Sequence, residues 1–154
     1  MDKPNGIRYA CLIEYDGTPY VGFQIQENGR SVQAEIEKSL ARMAKLPKGE
    51  RIQVHGSGRT DSGVHALGQV IHFDYPAYLE PDVFVRAMNT LMDRSIRMLE
   101  ARVVTEDFHV RYLAKEREYL YRIDTSRYSD PFKRLYTLHH PYSLNIGHMQ
   151  SALN

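Results

Sequence analysis

The feature that most constrains this 154-residue chain is a glycine-rich segment, residues 55–69, which lies between two apolar runs. Ile52–Val54 precedes it, and Val70–Phe73 follows it with the composition of a β-strand. Glycine tolerates backbone conformations that other residues avoid and lets the chain approach a ligand closely. The segment is therefore predicted to be a shaped loop that joins two strands. Its glycines are Gly56, Gly58, Gly63 and Gly68.

The charged residues of this loop suggest a chemical role. Arg59 and Asp61 are two positions apart, close enough to pair, and a paired carboxylate stays ionised well below neutral pH. An ionised aspartate held in place can act as a nucleophile or as a base. Aspartate and glycine also dominate ordinary turns for local reasons, so these residue types alone leave a simple turn open.

The pattern along the first two thirds of the chain predicts an α+β fold of the ferredoxin-like type. Strand-like alternation and helical spacing of apolar residues follow each other in the order β-α-β-β-α-β. In that fold the sheet is antiparallel and both helices cover one of its faces, while the other face is left free, and many RNA-binding proteins use that free face. The predicted strands are Ile7–Tyr15, Ile52–His55, Gln69–Tyr75 and Ser95–Val104, and the predicted helices are Val32–Lys45 and Asp82–Met92.

Composition is that of a globular protein, with 42% hydrophobic and 25% charged residues. Residues 1–93 carry 10 Lys/Arg against 12 Asp/Glu and residues 94–154 carry 10 against 7, so the second part is mildly basic and an RNA-binding surface is permitted. No apolar run is long enough to span a bilayer, so no membrane partner is expected. A single cysteine, Cys11, excludes an internal disulfide and is typical of a cytoplasmic protein.

The remaining residues are predicted to extend the sheet. Residues 119–123 alternate in a strand-like way that places Tyr119 and Tyr121 on one face, with Tyr121 expected to pack. A short strand is predicted at Leu135–His140, and a helix begins within residues 143–146. The predicted organisation is thus a ferredoxin-like domain over 1–104, additional strands with a Tyr/Arg motif over 105–141, and the start of a helix over 142–154.

Three segments carry a resemblance to one enzyme family. Gly58–Val70 resembles closely the catalytic loop of the tRNA pseudouridine synthase A family. Tyr15–Gln24 matches that family's Tyr-Asp-Gly turn followed by a Gly-aromatic-Gln, and Phe108–Tyr121 matches its Phe-His-x-Arg and Arg-x-Tyr-x-Tyr signature. One departure is Asp93, where the family commonly has proline.

The resemblance assigns roles to individual residues. Asp61 is implied to be the catalytic carboxylate, and Arg59 is implied to hold it or to occupy the space of a flipped nucleotide. Tyr119 is implied to stack on uracil or to act as a base. The other positions implied to bind substrate are Arg111, Gly58, Thr60 and His65.

The resemblance also implies an activity: isomerisation of uridine to pseudouridine at positions 38–40 in the anticodon stem-loop of tRNA. This reaction moves the glycosidic bond from N1 to C5 of uracil without electrons or phosphate energy, so neither a cofactor nor a metal is expected. Family members are longer than this chain and act as homodimers. The chain is therefore expected to be the N-terminal portion of such an enzyme and to be inactive as an isolated fragment.

Two other classes of function fit parts of the sequence. A non-catalytic ferredoxin-like RNA-binding module explains the fold and the basic second part, but it gives no reason for Arg59–Asp61 in a glycine-rich loop. A metal-dependent hydrolase is disfavoured because the spacing of its candidate ligands matches no standard motif. Those ligands are His55, Asp61, His65, His72 and Asp74.

Overall fold

A computed structural model of the chain describes residues 6–153, which form two compact units divided between Arg117 and Glu118. The first unit contains the glycine-rich loop and most of the regular secondary structure. None of the helices within residues 6–153 is both long enough and apolar enough to cross a membrane.

The first unit has the predicted β-α-β-β-α-β order. Its main elements are β1 (Ile7–Tyr15), α1 (Val32–Met43), β2 (His55–Gly56), β3 (Ala66–Tyr75), α2 (Pro81–Leu91) and β4 (Ile96–Val103). The strands form one sheet in the order β2-β3-β1-β4, and every neighbouring pair is antiparallel. This is the strand order of the ferredoxin-like fold, so the predicted fold class is confirmed.

The core lies between this sheet and the two helices. On β1 the side chains of Tyr9, Cys11 and Ile13 alternate inward and are at most 1% exposed. The ring of Tyr9 stacks on Phe84 of α2 with centroids 4.6 Å apart, a geometry that adds about 0.5–1.5 kcal/mol to the gain from burial. Ser31 caps α1, because its Oγ accepts a hydrogen bond of 3.2 Å from the backbone N–H of Ala34.

Strand β2 is shorter and begins later than predicted. Ile52 and Val54 are buried, as a strand would require, yet ladder pairing begins only at His55. The reason is that α1 takes over the backbone of Val54. Its N–H donates to Glu37 Oε1 at 2.9 Å, and its carbonyl accepts from Gln33 Nε2 at 2.9 Å. Side chains of α1 thus bind the backbone of the residue directly before the glycine-rich segment.

A short helix not predicted from the sequence follows β4. This helix, α3 (Val110–Leu113), packs against β2 and β3, with Val110 only 4% exposed. His109 caps it, because its Nδ1 accepts a hydrogen bond of 3.3 Å from the backbone N–H of Arg111. As a result, the Phe-His-x-Arg signature lies beside the strands that flank the loop.

The second unit has little sheet. Its strands β5 (Ile123–Asp124) and β6 (Leu138–His139) pair in parallel over two residues each. The predicted strand over residues 119–123 is wrong apart from its last residue, and Tyr121, expected to pack, is 86% exposed. Alternation gives a segment the capacity to form a strand, but backbone groups pair only where a neighbouring strand is present. Within the second unit β6 supplies that neighbour at residues 123–124 alone.

The predicted helix near the end of the chain is present as α4 (Ile146–Ala152). Asn145 caps it through a hydrogen bond of 3.0 Å from the backbone N–H of His148 to Oδ1. The apolar side chains of Ile146 and Leu153, at its two ends, lie on the surface of the unit and are 65% and 88% exposed.

Candidate active site

Within the glycine-rich segment, residues 57–65 form the loop between β2 and β3, and this loop is held by β1 and by the residues that follow it. The backbone N–H of Phe23 donates a hydrogen bond of 3.0 Å to the carbonyl of Thr60, and that of Gly63 donates one of 3.2 Å to the carbonyl of Tyr20. The hydroxyl of Tyr15 lies 2.7 Å from Thr60 Oγ1. The Tyr15–Gln24 signature thus contacts the glycine-rich loop, although the two are distant in sequence, and it supports the backbone of that loop.

Close approach of these two segments depends on Gly22. Its φ is +127°, and a Cβ atom placed there would lie 2.8 Å from the carbonyl oxygen of Thr60. Any other residue would strain its own backbone and push the loop away. This glycine therefore sets the distance between the Phe23 segment and the residue before Asp61.

Asp61 and Arg59 both expose their side chains. The expected ion pair between them is not formed: among residues 6–153 neither side chain has a hydrogen-bond or salt-bridge partner in the protein. Thr60, between them, is held through its carbonyl and its hydroxyl by other segments, so the backbone here is fixed without an ion pair between Arg59 and Asp61. Both groups are consequently available to a bound substrate.

His65 belongs to the support of the loop. Its Nδ1 lies 2.9 Å from the backbone nitrogen of Gly17 and 3.1 Å from Asp16 Oδ1. These contacts connect the end of the loop to the Tyr-Asp-Gly turn after β1. The substrate-binding role implied for His65 by the family resemblance remains a prediction, as do those of Gly58 and Thr60.

Arg59 and Arg111 line one cavity of about 340 Å³ beside the loop. Arg111 is exposed, and among residues 6–153 its side chain has no hydrogen bond or ion pair with another residue. Two guanidinium groups without carboxylate partners favour an anionic ligand, because each offers a planar fork of donors that suits phosphate. The cavity also has amide and aromatic side chains in its wall, namely Gln24, Gln33, Phe23 and Tyr112.

Three histidines lie together beside this cavity. The rings of His55 and His72 stack at 4.7 Å, and His109 lies at 4.7 Å from His72. Burial, together with the positive charge that His55 and His109 would carry, lowers the pKa of His72 to about 4. Burial likewise lowers the pKa of His55. His55 and His72 are therefore neutral at physiological pH.

The cluster also has the residue types of a metal site, since one ring nitrogen of each histidine lies within 4.8 Å of the others. Its hydrogen bonds argue for packing instead. The backbone N–H groups of Val110 and Arg111 approach Nδ1 of His72 and His109 at 3.4 Å and 3.3 Å. An Nδ1 that accepts a hydrogen bond leaves the ring proton on Nε2, so neither nitrogen of these two rings presents a free lone pair for an ion.

The structure does not assemble the ligand set considered for a metal-dependent hydrolase. Asp74 is engaged by Arg8 in a bidentate pair at 2.7 Å and 2.9 Å, and this hydrogen bonding lowers the pKa of Asp74. His65 is bound to the Asp16–Gly17 turn. Of the candidate ligands, His55 and His72 are in ring contact with each other.

Tyr119 lies in the second unit and is 70% exposed. Among residues 6–153 no hydrogen bond engages its hydroxyl, which leaves the phenol available. Its implied role against uracil stays a prediction.

Sequence reasoning assigned no role to two residues that support the loop, and it left His109 out of the histidine cluster. Tyr15 contacts Thr60, and Gln69 binds the backbone at the start of the loop. Both residues lie within segments singled out by the resemblance. Their place in those segments was the available signal, but their contacts depend on how the strands fold together.

Comparison with protein families identifies the class of protein. Residues 11–113 match the model of a family described as tRNA pseudouridine synthase, and the chain belongs to this family. Among curated proteins it is 45% identical to tRNA pseudouridine synthase A of Latilactobacillus sakei over 147 residues, which cover 96% of this chain and 58% of that protein. It is 48% identical to the protein of the same name from Lacticaseibacillus casei over 145 residues, covering 94% and 58%. A Streptococcus pneumoniae tRNA pseudouridine synthase A is 46% identical, with 95% and 57% covered. The chain therefore spans somewhat more than half the length of these relatives.

Proposed function

We propose that the chain carries the catalytic loop of an enzyme that converts uridine to pseudouridine in the anticodon stem-loop of tRNA, at positions 38–40. The observation that carries the proposal is an exposed carboxylate, Asp61, on a loop whose backbone is held on both sides. Membership of the tRNA pseudouridine synthase family supports the choice of reaction. The enzyme acts as a homodimer in the cytoplasm.

In this reaction the bond between N1 of uracil and C1′ of ribose breaks, and a bond between C5 and C1′ forms. The C5 proton is lost and N1 gains a proton, so atoms and electrons balance without a co-reactant. Asp61 acts either as a nucleophile at C1′ or C6 or as the base that removes a ribose proton on a glycal route. Tyr119 stacks on the uracil or accepts the C5 proton.

Arg59 and Arg111 bind the RNA next to the target nucleotide. Their guanidinium groups line one cavity and have no carboxylate partner among the described residues, which suits a backbone phosphate. The amide and aromatic side chains in the wall of the same cavity suit a base displaced from its stack. Extracting that base costs a few kcal/mol, which stacking and phosphate contacts offset.

The proposal is tested by incubating the full-length protein with unmodified tRNA and locating pseudouridine by carbodiimide-dependent primer extension. Pseudouridine at positions 38–40 is the expected result, and a tRNA with cytidine at those positions is the matched control. A protein that binds tRNA but yields no pseudouridine would instead be the RNA-binding module. Pseudouridine formed only outside the anticodon arm would contradict the substrate assignment.

A further inference from the structure

The start of the glycine-rich loop is bound by a single buried carboxamide, that of Gln69. Gln69 lies on β3, is 7% exposed, and pairs in register with Ile13 of β1. Its Oε1 accepts hydrogen bonds from Ser57 Oγ at 2.6 Å and from the backbone N–H of Gly58 at 3.2 Å. Its Nε2 donates to the carbonyl of Gly58 at 2.9 Å. One side chain thus binds both backbone groups of the same residue.

All backbone polar groups of Ser57 and Gly58 have hydrogen-bond partners. The N–H of Ser57 donates to the carbonyl of Val70 at 2.9 Å, and its carbonyl accepts from Nη2 and Nε of Arg117 at 2.7 Å and 3.1 Å. Gln69 pairs the N–H and the carbonyl of Gly58. The chain is therefore fixed at the residue immediately before Arg59.

Beyond this point the reactive side chains have no contacts of their own to orient them. Among the described residues, Asp61 and Arg59 lack side-chain partners, so the direction of both groups comes from the backbone that carries them. That backbone is held at Gly58 by Gln69 and at Thr60 by Phe23 and Tyr15.

We infer that Gln69 is a positioning residue for catalysis: its carboxamide fixes the peptide groups of Gly58 and so the path of Arg59–Asp61 toward the substrate. This inference rests on the proposed function of Asp61. A carboxamide is required because it supplies an acceptor and a donor at once. A leucine side chain supplies neither, and a carboxylate supplies only the acceptor.

The test compares single-turnover rates of the full-length protein and its Gln69→Leu variant on tRNA, at a temperature where both are folded. We expect the rate to fall at least about tenfold, because small displacements of a reacting group are costly. The dissociation constant for tRNA should change less than about threefold, since contacts across a wide surface determine it. A Gln69→Leu rate within about twofold of wild type would overturn the inference.

Asn89→Leu is the matched control. Asn89 binds both backbone groups of Met98, at 2.8 Å each, in the same way that Gln69 binds Gly58, but on α2 rather than at the loop. Loss of its carboxamide should lower the melting temperature and leave the rate unchanged. An equal loss of rate in Asn89→Leu and Gln69→Leu would reduce Gln69 to a general structural role.

The Gln69→Glu variant provides a second readout, which holds even if Gln69→Leu fails to fold. The introduced carboxylate accepts from Ser57 and Gly58 but has no proton for the Gly58 carbonyl, and its burial favours protonation at mildly acidic pH. The rate of Gln69→Glu relative to wild type should rise as the pH falls from 8 to 5.5, whereas a flat ratio would overturn the inference. If the wild-type protein itself makes no pseudouridine, the proposed function fails. If the wild-type protein is active but the ratio of the Gln69→Glu rate to the wild-type rate does not change with pH, only the role of Gln69 is refuted.

Discussion

The backbone N–H of Phe23 donates a hydrogen bond of 3.0 Å to the carbonyl of Thr60, the residue directly before Asp61. The hydroxyl of Thr60 is held as well, at 2.7 Å from that of Tyr15. The carboxylate of Asp61, in contrast, is exposed and has no side-chain partner among the described residues. Distant segments therefore hold the backbone beside Asp61, and the carboxylate itself is left open to a substrate.

The first prediction concerns Gly22. A Gly22→Ala substitution places Cβ 2.8 Å from the carbonyl oxygen of Thr60, in a backbone conformation with φ of +127°. We expect about 1–3 kcal/mol loss of unfolding free energy from the strained backbone and a large loss of catalytic rate from displacement of the loop. Chemical denaturation and pseudouridine yield measure the two effects.

Gly49→Ala is the control for Gly22→Ala. Gly49 also has a positive φ, +94°, but a Cβ atom there would meet nothing within 4 Å. The Gly49→Ala variant should lose stability from backbone strain alone and keep the wild-type catalytic rate. If the Gly22→Ala variant were as active as the Gly49→Ala variant, the close approach of the Phe23 segment would not determine the position of the loop.

Local signals in the sequence were sufficient to predict elements of the core that lies between the sheet and the helices. The alternation of β1 and the helical spacing of α1 act within a few residues, so both elements could be predicted directly. The boundaries of β1 are as predicted, Ile7–Tyr15, and α1 begins at the predicted residue, Val32.

Long-range pairing could not be predicted in the same way. Ile52–Val54 has the composition of a strand, but side chains of α1 take the backbone bonds of Val54. Residues 119–122 alternate as a strand would, yet within the second unit they have no partner strand. The contacts that distant segments make to Thr60, between Arg59 and Asp61, likewise could not be predicted from the local sequence.

The second prediction is a pH dependence of stability that originates at His72. In the folded protein, burial and the neighbouring histidines lower the pKa of His72 to about 4, from 6.5 for an ordinary histidine. Between these values the unfolded chain binds a proton that the folded chain resists, so the free energy of unfolding should fall as the pH falls from 6.5 to 4. Above pH 6.5 His72 should contribute no pH dependence.

Denaturation at a series of pH values measures this effect, with His72→Asn as the comparison. The amide oxygen of asparagine can accept the hydrogen bond that Val110 donates to Nδ1 at 3.4 Å, but it does not titrate. The variant should be less sensitive to acid than the wild type. Identical pH profiles would mean that His72 is not the group responsible.

The third prediction concerns the guanidinium group of Arg59. Since it has no carboxylate partner among the described residues, we expect it to bind substrate oxygen atoms through its planar fork of donors. Arg59→Lys keeps the charge but loses this geometry, so the catalytic rate should fall by roughly tenfold or more. Arg51→Lys is the control, because Arg51 is 54% exposed and pairs with Glu37 at 3.3 Å. Equal rates in the two variants would identify Arg59 as a surface charge.

The fourth prediction concerns the 154-residue chain itself. Its ferredoxin-like core is complete within residues 7–103, so the chain should unfold cooperatively on heating. It spans 58% of the length of its L. sakei relative, and Asp61 is open to solvent. Because a site that does not exclude water loses electrostatic stabilisation, we expect no pseudouridine from this chain alone. Measurable turnover by it would show that the site is complete without further residues.

The last prediction addresses Asp61, and the Asp61→Asn variant of the full-length protein tests it. Asparagine keeps the size and most of the hydrogen-bonding capacity of aspartate but is neither a competent nucleophile nor a base, so the single-turnover rate should fall at least about 100-fold. Binding of tRNA and the melting temperature should stay close to wild type, because the Asp61 side chain has no protein partner among the described residues. Asp107→Asn is the control, since Asp107 is also an exposed aspartate and lies outside the loop. If Asp61 merely shaped a turn, asparagine would serve equally well and activity would persist. Full activity of Asp61→Asn would thus remove the carboxylate from the mechanism, whereas an inactive variant that binds tRNA normally would establish it as the reacting group.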